Sequence, residues 1–320
     1  MATFKDYTPA GVIPAAILAF NEDFDIDEAE TRRHLSFVAA TEGISAVTVN
    51  GHSSEIHACS FDEQRQILDV AMDEIGDAVP LINGVYADGS HEAAKIAKMA
   101  EAGGASALLC FPPHSMGMGG IRHRPEMALA HFKTIADATD LPLIVFQYSD
   151  ELAYSLDTLV QLAEEVPSIK AVKDWSPPQT HQRHINTLQN LTRPVNVLST
   201  NSAWLMSSLV MGANGLLSGA GSVIADMQVA LFRAVQSDDL ATARAVAGRM
   251  WHATEAFYAD PFGDMHNRMK EALVHLGRQD RAVVRPPLVR LTDAEIVRIG
   301  EAMTAAGLTR EGFALPQAAE

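Results

Sequence analysis

The chain has 320 residues, of which 48% are hydrophobic, enough for two average domains or one large α/β barrel with a full core. Its 24 Lys and Arg against 40 Asp and Glu give a formal net charge of −16, which argues against nucleic acid or an anionic membrane as the main partner. The chain shows no secretory signal and no apolar run of transmembrane length, and its cysteines, Cys59 and Cys110, are predicted to be reduced. We therefore expect a soluble cytoplasmic protein.

Eight short apolar segments are each followed by a helical pattern, and the segments start roughly 20 to 35 residues apart, as a repeated strand–helix unit requires. The predicted strands are residues 11–17, 46–49, 80–83, 107–111, 142–146, 169–173, 195–198 and 215–218. The helices that follow them are predicted at 27–42, 62–75, 90–102, 125–138, 156–165, 179–189, 202–211 and 226–235.

This repeat predicts a (β/α)₈ barrel over residues 1–235, with a doubly wound open sheet as the alternative. No Gly-x-Gly-x-x-Gly motif follows the first strand, which weakens a dinucleotide-binding version of the open sheet. Three further helices at 240–258, 265–276 and 292–305 have no strands between them. They predict a helical C-terminal extension over 236–320, in which residues 315–320 are expected to fray.

The sixth strand carries the first candidate for chemistry. Alternation along this strand places Ile169, Ala171 and Lys173 on one face, so Lys173 ends an apolar face. A desolvated lysine has a lowered pKa, and its free amine can form a Schiff base with a carbonyl substrate. The alternative is a lysine that extends its charge to solvent from the end of a strand.

Other strand ends offer further candidates, because barrel enzymes place catalytic groups there. His52 and Ser53 follow the second strand and could hold a carboxylate, or simply form a helix-capping turn. Tyr148 follows the fifth strand and could carry a proton, or be a rim aromatic residue. The small-residue loop 218–222 follows the eighth strand and is better explained by tight packing than by a ligand.

Metal and serine-hydrolase sites find little support in the sequence. The twelve histidines show no recognised ligand spacing, and no His-Glu-x-x-His motif occurs. No Gly-x-Ser-x-Gly motif marks a nucleophilic serine. A metal-dependent barrel enzyme is therefore the least supported hypothesis for the function, and we expect no metal and no cofactor.

From residue 11 to about 291 the chain resembles the dihydrodipicolinate synthase / N-acetylneuraminate lyase family of Schiff-base aldolases. Four segments carry the resemblance: Gly-Val-Ile-Pro-Ala at 11–15, Gly-His-Ser-Ser-Glu at 51–55, Ala-Val-Lys-Asp at 171–174 and Gly-Ala-Asn-Gly-Leu-Leu-Ser at 212–218. The resemblance implies a (β/α)₈ barrel with a helical extension, and a homo-oligomer, either a tetramer or a dimer.

The resemblance also implies a 2-oxo acid, typically pyruvate, bound as an imine. By position in the motifs, the imine forms on Lys173, the carboxylate is held by His52 and Ser53, and Leu217 provides a backbone contact.

The chain departs from the family pattern where proton transfer is expected. Phe146 stands in the place of the family's relay tyrosine, so it would contact the substrate without a hydroxyl. Tyr148 lies two residues on and faces the same side of a regular strand, so Tyr148, or a water held by His52 or His114, is predicted to replace the relay.

Further departures concern the substrate. Asp150 and Glu151 stand where the synthases place an arginine for the second substrate's carboxylate, Pro113 and His114 replace a tyrosine pair, and Leu18 replaces a threonine. These changes argue against true dihydrodipicolinate synthase activity. We predict a Schiff-base lyase, either an aldolase or a dehydratase or hydratase-aldolase, that acts on a 2-oxo acid and an aldehyde. The alternative is a catalytically silent barrel that binds 2-oxo acids as a regulatory protein.

Overall fold

A ring of eight parallel strands forms the centre of the fold in the computed structural model, which describes residue 4 and residues 6–313. The strands are β1 (Gly11–Pro14), β2 (Val47–Val49), β3 (Leu81–Val85), β4 (Ala107–Cys110), β5 (Leu143–Gln147), β6 (Ile169–Asp174), β7 (Asn196–Ser199) and β8 (Gly215–Ser218). From β2 to β8 each strand pairs with the next in chain order, and β8 pairs with β1. The Ala16 N–H donates to the Thr48 carbonyl at 2.8 Å and closes the ring between β1 and β2. The predicted (β/α)₈ barrel is therefore confirmed, and the open sheet is excluded.

Helices surround the ring and extend beyond it. Within the described residues they are α1 (Glu28–Ala39), α2 (Phe61–Ile75), α3 (Ser90–Ala102), α4 (Gly120–His123), α5 (Pro125–Ala136), α6 (Leu156–Glu165), α7 (Pro178–Leu188), α8 (Leu205–Val210), α9 (Gly221–Gln236), α10 (Leu240–Phe257), α11 (Met265–His275) and α12 (Asp293–Ala306). Local signals explain several of their starts. In α2, the Ser60 hydroxyl accepts from the Glu63 N–H while the Glu63 carboxylate accepts from the Ser60 N–H.

Several boundaries differ from the sequence prediction. The segment predicted as one helix at 202–211 is a 3₁₀ turn, Ser202–Trp204, followed by α8. Helix α9 starts five residues before the predicted residue 226, with non-helical backbone at Ile224. The short helix α4 was not predicted at all. These differences lie in the loops at the carboxyl ends of the strands, where tertiary contacts outweigh local propensity.

Strand side chains alternate between the barrel interior and the helical layer. In β6, Ala171 packs inside the barrel with Ile144 and Leu198, whereas Val172 packs outward against the helices. Lys173 follows Ala171 by two residues and therefore faces the interior, as the alternation predicted.

The C-terminal helices pack against the barrel through α9 and against each other. The Lys270 ammonium in α11 forms a buried ion pair with Glu55 in the loop after β2, and it also donates to the Val283 carbonyl at 2.7 Å. The Arg285 N–H donates to the other Glu55 carboxylate oxygen at 3.0 Å. These bonds dock α11 on the carboxyl-terminal mouth of the barrel.

The described helices include none that is long and apolar enough to cross a membrane. The stretch 315–320, predicted to fray, lies outside the described residues.

Candidate active site

A cavity of about 160 Å³ opens to solvent at the carboxyl ends of the strands. Its floor includes Lys173, Phe146 and Ser53, and its outer walls come from the loops after β6 and β7 and from the helical extension. This is the end at which barrel enzymes hold their active sites.

Lys173 is 5% exposed, and burial lowers its pKa to about 7. Its Nζ lies 3.8 Å from the centre of the Phe146 ring, the residue beside it in the β5–β6 register. A desolvated ring face favours an ammonium by ~2 kcal/mol. The shift of the Lys173 pKa corresponds to ~5 kcal/mol in the opposite direction, so desolvation outweighs the ring.

The loop after β2 presents Ser53 to the cavity. The loop turns through Asn50, whose φ is +54°, and passes so close to β3 that a Cβ on Gly84 would stand 1.8 Å from the Asn50 carbonyl oxygen. Glycine at position 84 is thus required for this approach. Ser53 is 1% exposed, and its Oγ has no hydrogen-bond partner among the described residues. A buried hydroxyl without a partner is costly, so this one is available to a ligand oxygen.

His52 and Tyr148 form a hydrogen-bonded pair beside Phe146. The Tyr148 hydroxyl lies 2.7 Å from His52 Nε2, and either group can donate, depending on the imidazole tautomer. Burial lowers the pKa of His52, the positive charge of nearby Lys173 adds to this shift, and burial raises the pKa of Tyr148. At neutral pH the pair is thus an uncharged imidazole and a protonated phenol. This pair can hold or pass one proton.

Of the other predicted residues, Phe146 lines the cavity, whereas Tyr148, His114 and Leu217 do not. The rings of Phe146 and Tyr148 are 4.4 Å apart inside the barrel, so the two residues do share a side of β5. Leu217 is fully buried in β8 and does not line the cavity, so its backbone contact with a substrate stays a prediction. The ring centre of His114 lies 5.4 Å from that of Tyr148, so His114 packs against the His52–Tyr148 pair.

The loop after β8 is explained mainly by packing, as expected. The Ser222 hydroxyl donates to the Ala15 carbonyl and accepts from the Ile17 N–H, which joins this loop to the end of β1. Gly219 alone of this loop faces the cavity, between Ser53 and His266.

His266 is a cavity residue that the sequence did not indicate. It lies in the first turn of α11, is 7% exposed, and has its ring centre 6.3 Å from that of His52. Burial and the charges of Lys173 and Lys270 lower its pKa to about 3, so its imidazole is neutral at physiological pH. Only the docking of the extension brings it here, and no motif marks it.

Asp174 faces away from the cavity and organises a buried network. Its carboxylate accepts hydrogen bonds from Nδ1 of His181 at 2.8 Å and of His184 at 2.7 Å, and the Ser208 hydroxyl bonds to His181 Nε2 at 2.7 Å. Burial alone would raise the pKa of Asp174, but these hydrogen bonds outweigh burial and hold it well below its usual range. The order Ser–His–Asp resembles a catalytic triad, yet all four side chains are buried and none lines the cavity. The network anchors the end of β6, next to Lys173.

Within the described residues, no group of three or more His, Cys, Asp or Glu side chains is arranged to hold a metal ion.

Comparisons with known proteins agree with this architecture. The model of the dihydrodipicolinate synthetase family matches residues 8–306. A 4-hydroxy-tetrahydrodipicolinate synthase of Salinibacter ruber is 32% identical over 242 residues, which cover 73% of this chain and 76% of that protein. One of Kineococcus radiotolerans is 28% identical over 300 residues, 93% of each chain.

Solved structures show the same fold. Dihydrodipicolinate synthase from Aquifex aeolicus superposes with a TM-score of 0.83 at 23% identity, over 93% of this chain and 98% of that one. A second structure is that of YagE, a prophage protein of the dihydrodipicolinic acid synthase family from E. coli K12, in complex with pyruvate. It superposes with a TM-score of 0.85 at 20% identity, over 93% of this chain and 98% of that one. Since the family model covers nearly the whole chain, the protein belongs to the dihydrodipicolinate synthetase family.

Proposed function

We propose that the protein is a Schiff-base lyase that acts on pyruvate or another 2-oxo acid through Lys173. The observation that carries this proposal is the lysine itself, buried in a cavity with a pKa lowered to about 7. At pH 7 about half of such lysines are free amines, against about one in 3,000 for an ordinary lysine with a pKa of 10.5. The family relationship and the pyruvate bound to YagE support the same substrate class.

The proposed reaction begins with attack of the Lys173 amine on the keto carbon, which expels water and leaves an imine. Loss of a proton from the adjacent carbon gives an enamine, which attacks the carbonyl carbon of an aldehyde while the aldehyde oxygen takes up a proton. Water then hydrolyses the imine and frees the amine. The reverse sequence cleaves the same carbon–carbon bond, and loss of the new hydroxyl as water would be a dehydratase outcome.

The neighbouring groups fit these steps. The unpartnered Ser53 hydroxyl can donate to the substrate carboxylate, and the neutral imidazole of His52 can donate one N–H to it. The Tyr148–His52 hydrogen bond offers a path for the proton that leaves the substrate. Phe146 contributes an apolar wall that keeps the amine desolvated.

A silent 2-oxo-acid-binding barrel is the second candidate. It is favoured by Phe146, which has no hydroxyl at the relay position. It predicts that the imine forms but that no aldehyde is consumed.

The test is intact-mass spectrometry after incubation with pyruvate and borohydride, which reduces an imine to a stable amine. We expect one adduct, located on Lys173 by peptide mapping and absent from Lys173→Ala. Lys170→Ala is the matched control, because Lys170 lies in the same strand with its side chain exposed. That variant should keep the adduct.

The outcomes separate the candidates. No adduct with pyruvate or a panel of larger 2-oxo acids would overturn the Schiff-base mechanism. An adduct without turnover of any aldehyde in a broad panel would favour the silent barrel.

A further inference from the structure

We propose that the outer part of the cavity is a subsite for an uncharged aromatic aldehyde. This inference rests on the proposed function, because the aldehyde would be the partner of the enamine at Lys173. It names the class of second substrate, which the family relationship does not supply.

A row of aromatic rings forms one wall of the outer cavity. The rings of Trp175 and Phe262 stack with centres 5.0 Å apart and planes 24° apart, and those of Phe262 and Tyr258 stack at 5.7 Å and 19°. All three residues line the cavity and are half-buried, so part of each ring is open to a ligand. The edge of Tyr148 meets Trp175 at 5.7 Å and links this row to the inner site. A planar aromatic group would extend the stack.

The lack of charged side chains besides Lys173 in the described lining disfavours charged aldehydes. Among the described residues that line it, Lys173 is the only Lys, Arg, Asp or Glu, and Lys173 is consumed by the imine. His52 and His266 have lowered pKa values and are neutral. An aldehyde with a carboxylate or phosphate would therefore lose its hydration without gaining a counter-ion. An aldehyde without charge incurs no such loss.

The cavity is open to solvent beside Lys173, so a ring-sized partner can enter between the amine and the aromatic wall. The wall combines Trp175, which directly follows the strand of Lys173, with Tyr258 and Phe262 from the extension. The aldehyde would lie between these rings and the enamine, and the product would be a 4-aryl-4-hydroxy-2-oxo acid.

The test compares aldehydes at saturating pyruvate, with product formation followed by liquid chromatography. The probes are benzaldehyde, propanal, glyceraldehyde and succinic semialdehyde, which differ in aromaticity, polarity and charge. We expect kcat/KM for benzaldehyde to exceed that for propanal at least tenfold and that for succinic semialdehyde at least a hundredfold. A preference for glyceraldehyde or succinic semialdehyde would overturn the inference.

Variants locate the effect in the aromatic wall. Trp175→Leu and Phe262→Leu should each lower kcat/KM for benzaldehyde about tenfold more than they lower kcat/KM for propanal. Trp251→Leu is the matched control, because Trp251 is 48% exposed on α10 and lies outside the cavity. Equal losses for every aldehyde in Trp175→Leu would contradict a subsite for rings.

A binding measurement separates this inference from the proposed function. Saturation-transfer NMR with benzyl alcohol, which cannot react, should show contact of its ring with the wild type and with Trp251→Leu, and loss of contact in Trp175→Leu. If the borohydride adduct fails but this pattern holds, the lyase proposal falls while the aromatic subsite stands. If the adduct forms and benzyl alcohol shows no contact, the subsite is wrong and the lyase stands.

Discussion

At the scale of single residues, the site combines a buried amine, a buried free hydroxyl and uncharged proton carriers. Lys173 is desolvated by its own strand and by Phe146, and no acidic residue lines the cavity among the described residues. An adjacent carboxylate would raise the lysine pKa and remove the free amine. The composition of the cavity therefore favours nucleophilic attack at neutral pH.

The Lys173 pKa has a consequence for stability. In the unfolded chain the amine is protonated up to about pH 10.5, but in the folded protein only up to about 7. Between these values the unfolded state binds more protons, so stability rises with pH. Below pH 7 the folded protein carries the full cost of a buried ammonium.

We therefore predict that Lys173→Met stabilises the protein at pH 7 by about 2–4 kcal/mol, since methionine fills similar space without charge. Urea unfolding at pH 7 and pH 9.5 checks this, and the difference from wild type should shrink at pH 9.5. The same difference at both pH values would contradict the proposed cause.

Tyr148→Phe tests the proton path. Removing the hydroxyl should slow the exchange of the pyruvate methyl protons with deuterium by about a hundredfold, because the methyl group of the imine loses the group that accepts or relays its proton. NMR follows this exchange. The borohydride adduct should remain. Tyr154→Phe is the control, since the Tyr154 hydroxyl is buried away from the cavity and has no partner among the described residues. Unchanged exchange in Tyr148→Phe would assign the relay to another group.

At the scale of elements, the loop after β2 and helix α11 depend on one buried ion pair. The side chains of Glu55 and Lys270 are both fully buried, and burial lowers the pKa of Lys270 even though Glu55 opposes the shift. Glu55 also has φ +52°, a left-handed conformation that its hydrogen bonds to the extension help to hold. This pair helps to hold Ser53 and His266 next to Gly219.

Lys270→Met should destabilise the protein by about 3–5 kcal/mol, because Glu55 is left buried and unpaired. Adding Glu55→Gln to Lys270→Met should recover a large part of this loss. Urea unfolding of the two single variants and the double variant measures the coupling free energy between Glu55 and Lys270. Lys133→Met, which breaks an exposed pair with Glu165, is the control and should cost less than about 1 kcal/mol. An equal loss in the single and double variants would show that packing, and not the charge, determines the effect.

At the scale of the whole molecule, the barrel and the extension share one site. The extension supplies Tyr258, Phe262, Met265 and His266 to the cavity and the ammonium that neutralises Glu55. The predicted division at residue 235 also falls inside α9, which continues to Gln236. The division into a barrel domain and a C-terminal extension stays a prediction.

We expect a chain of residues 1–236 to fail to fold independently, since it would expose the face of α9 that packs on α10 and leave Glu55 unpaired. Circular dichroism and the borohydride adduct check this against the full chain. A cooperative thermal transition together with a Lys173 adduct in the short chain would prove the extension dispensable.

Much of the barrel follows from the sequence alone. The eight strands lie within a few residues of their predicted positions, because apolar runs and helical periodicity repeat in a regular order. The same alternation put Lys173 inside the barrel. The loops after the strands were predicted less well, since their conformations depend on contacts such as that between Asn50 and Gly84.

The sequence by itself determined the order of the elements, the barrel and the inward-facing lysine, because each of these depends on neighbours in the chain. Only the tertiary structure decided that Tyr148 bonds to His52, 96 residues away, and that His266 reaches the cavity. The physical reason is that both contacts join distant segments whose approach depends on closure of the ring and docking of α11. Such contacts leave no periodic trace in the local sequence.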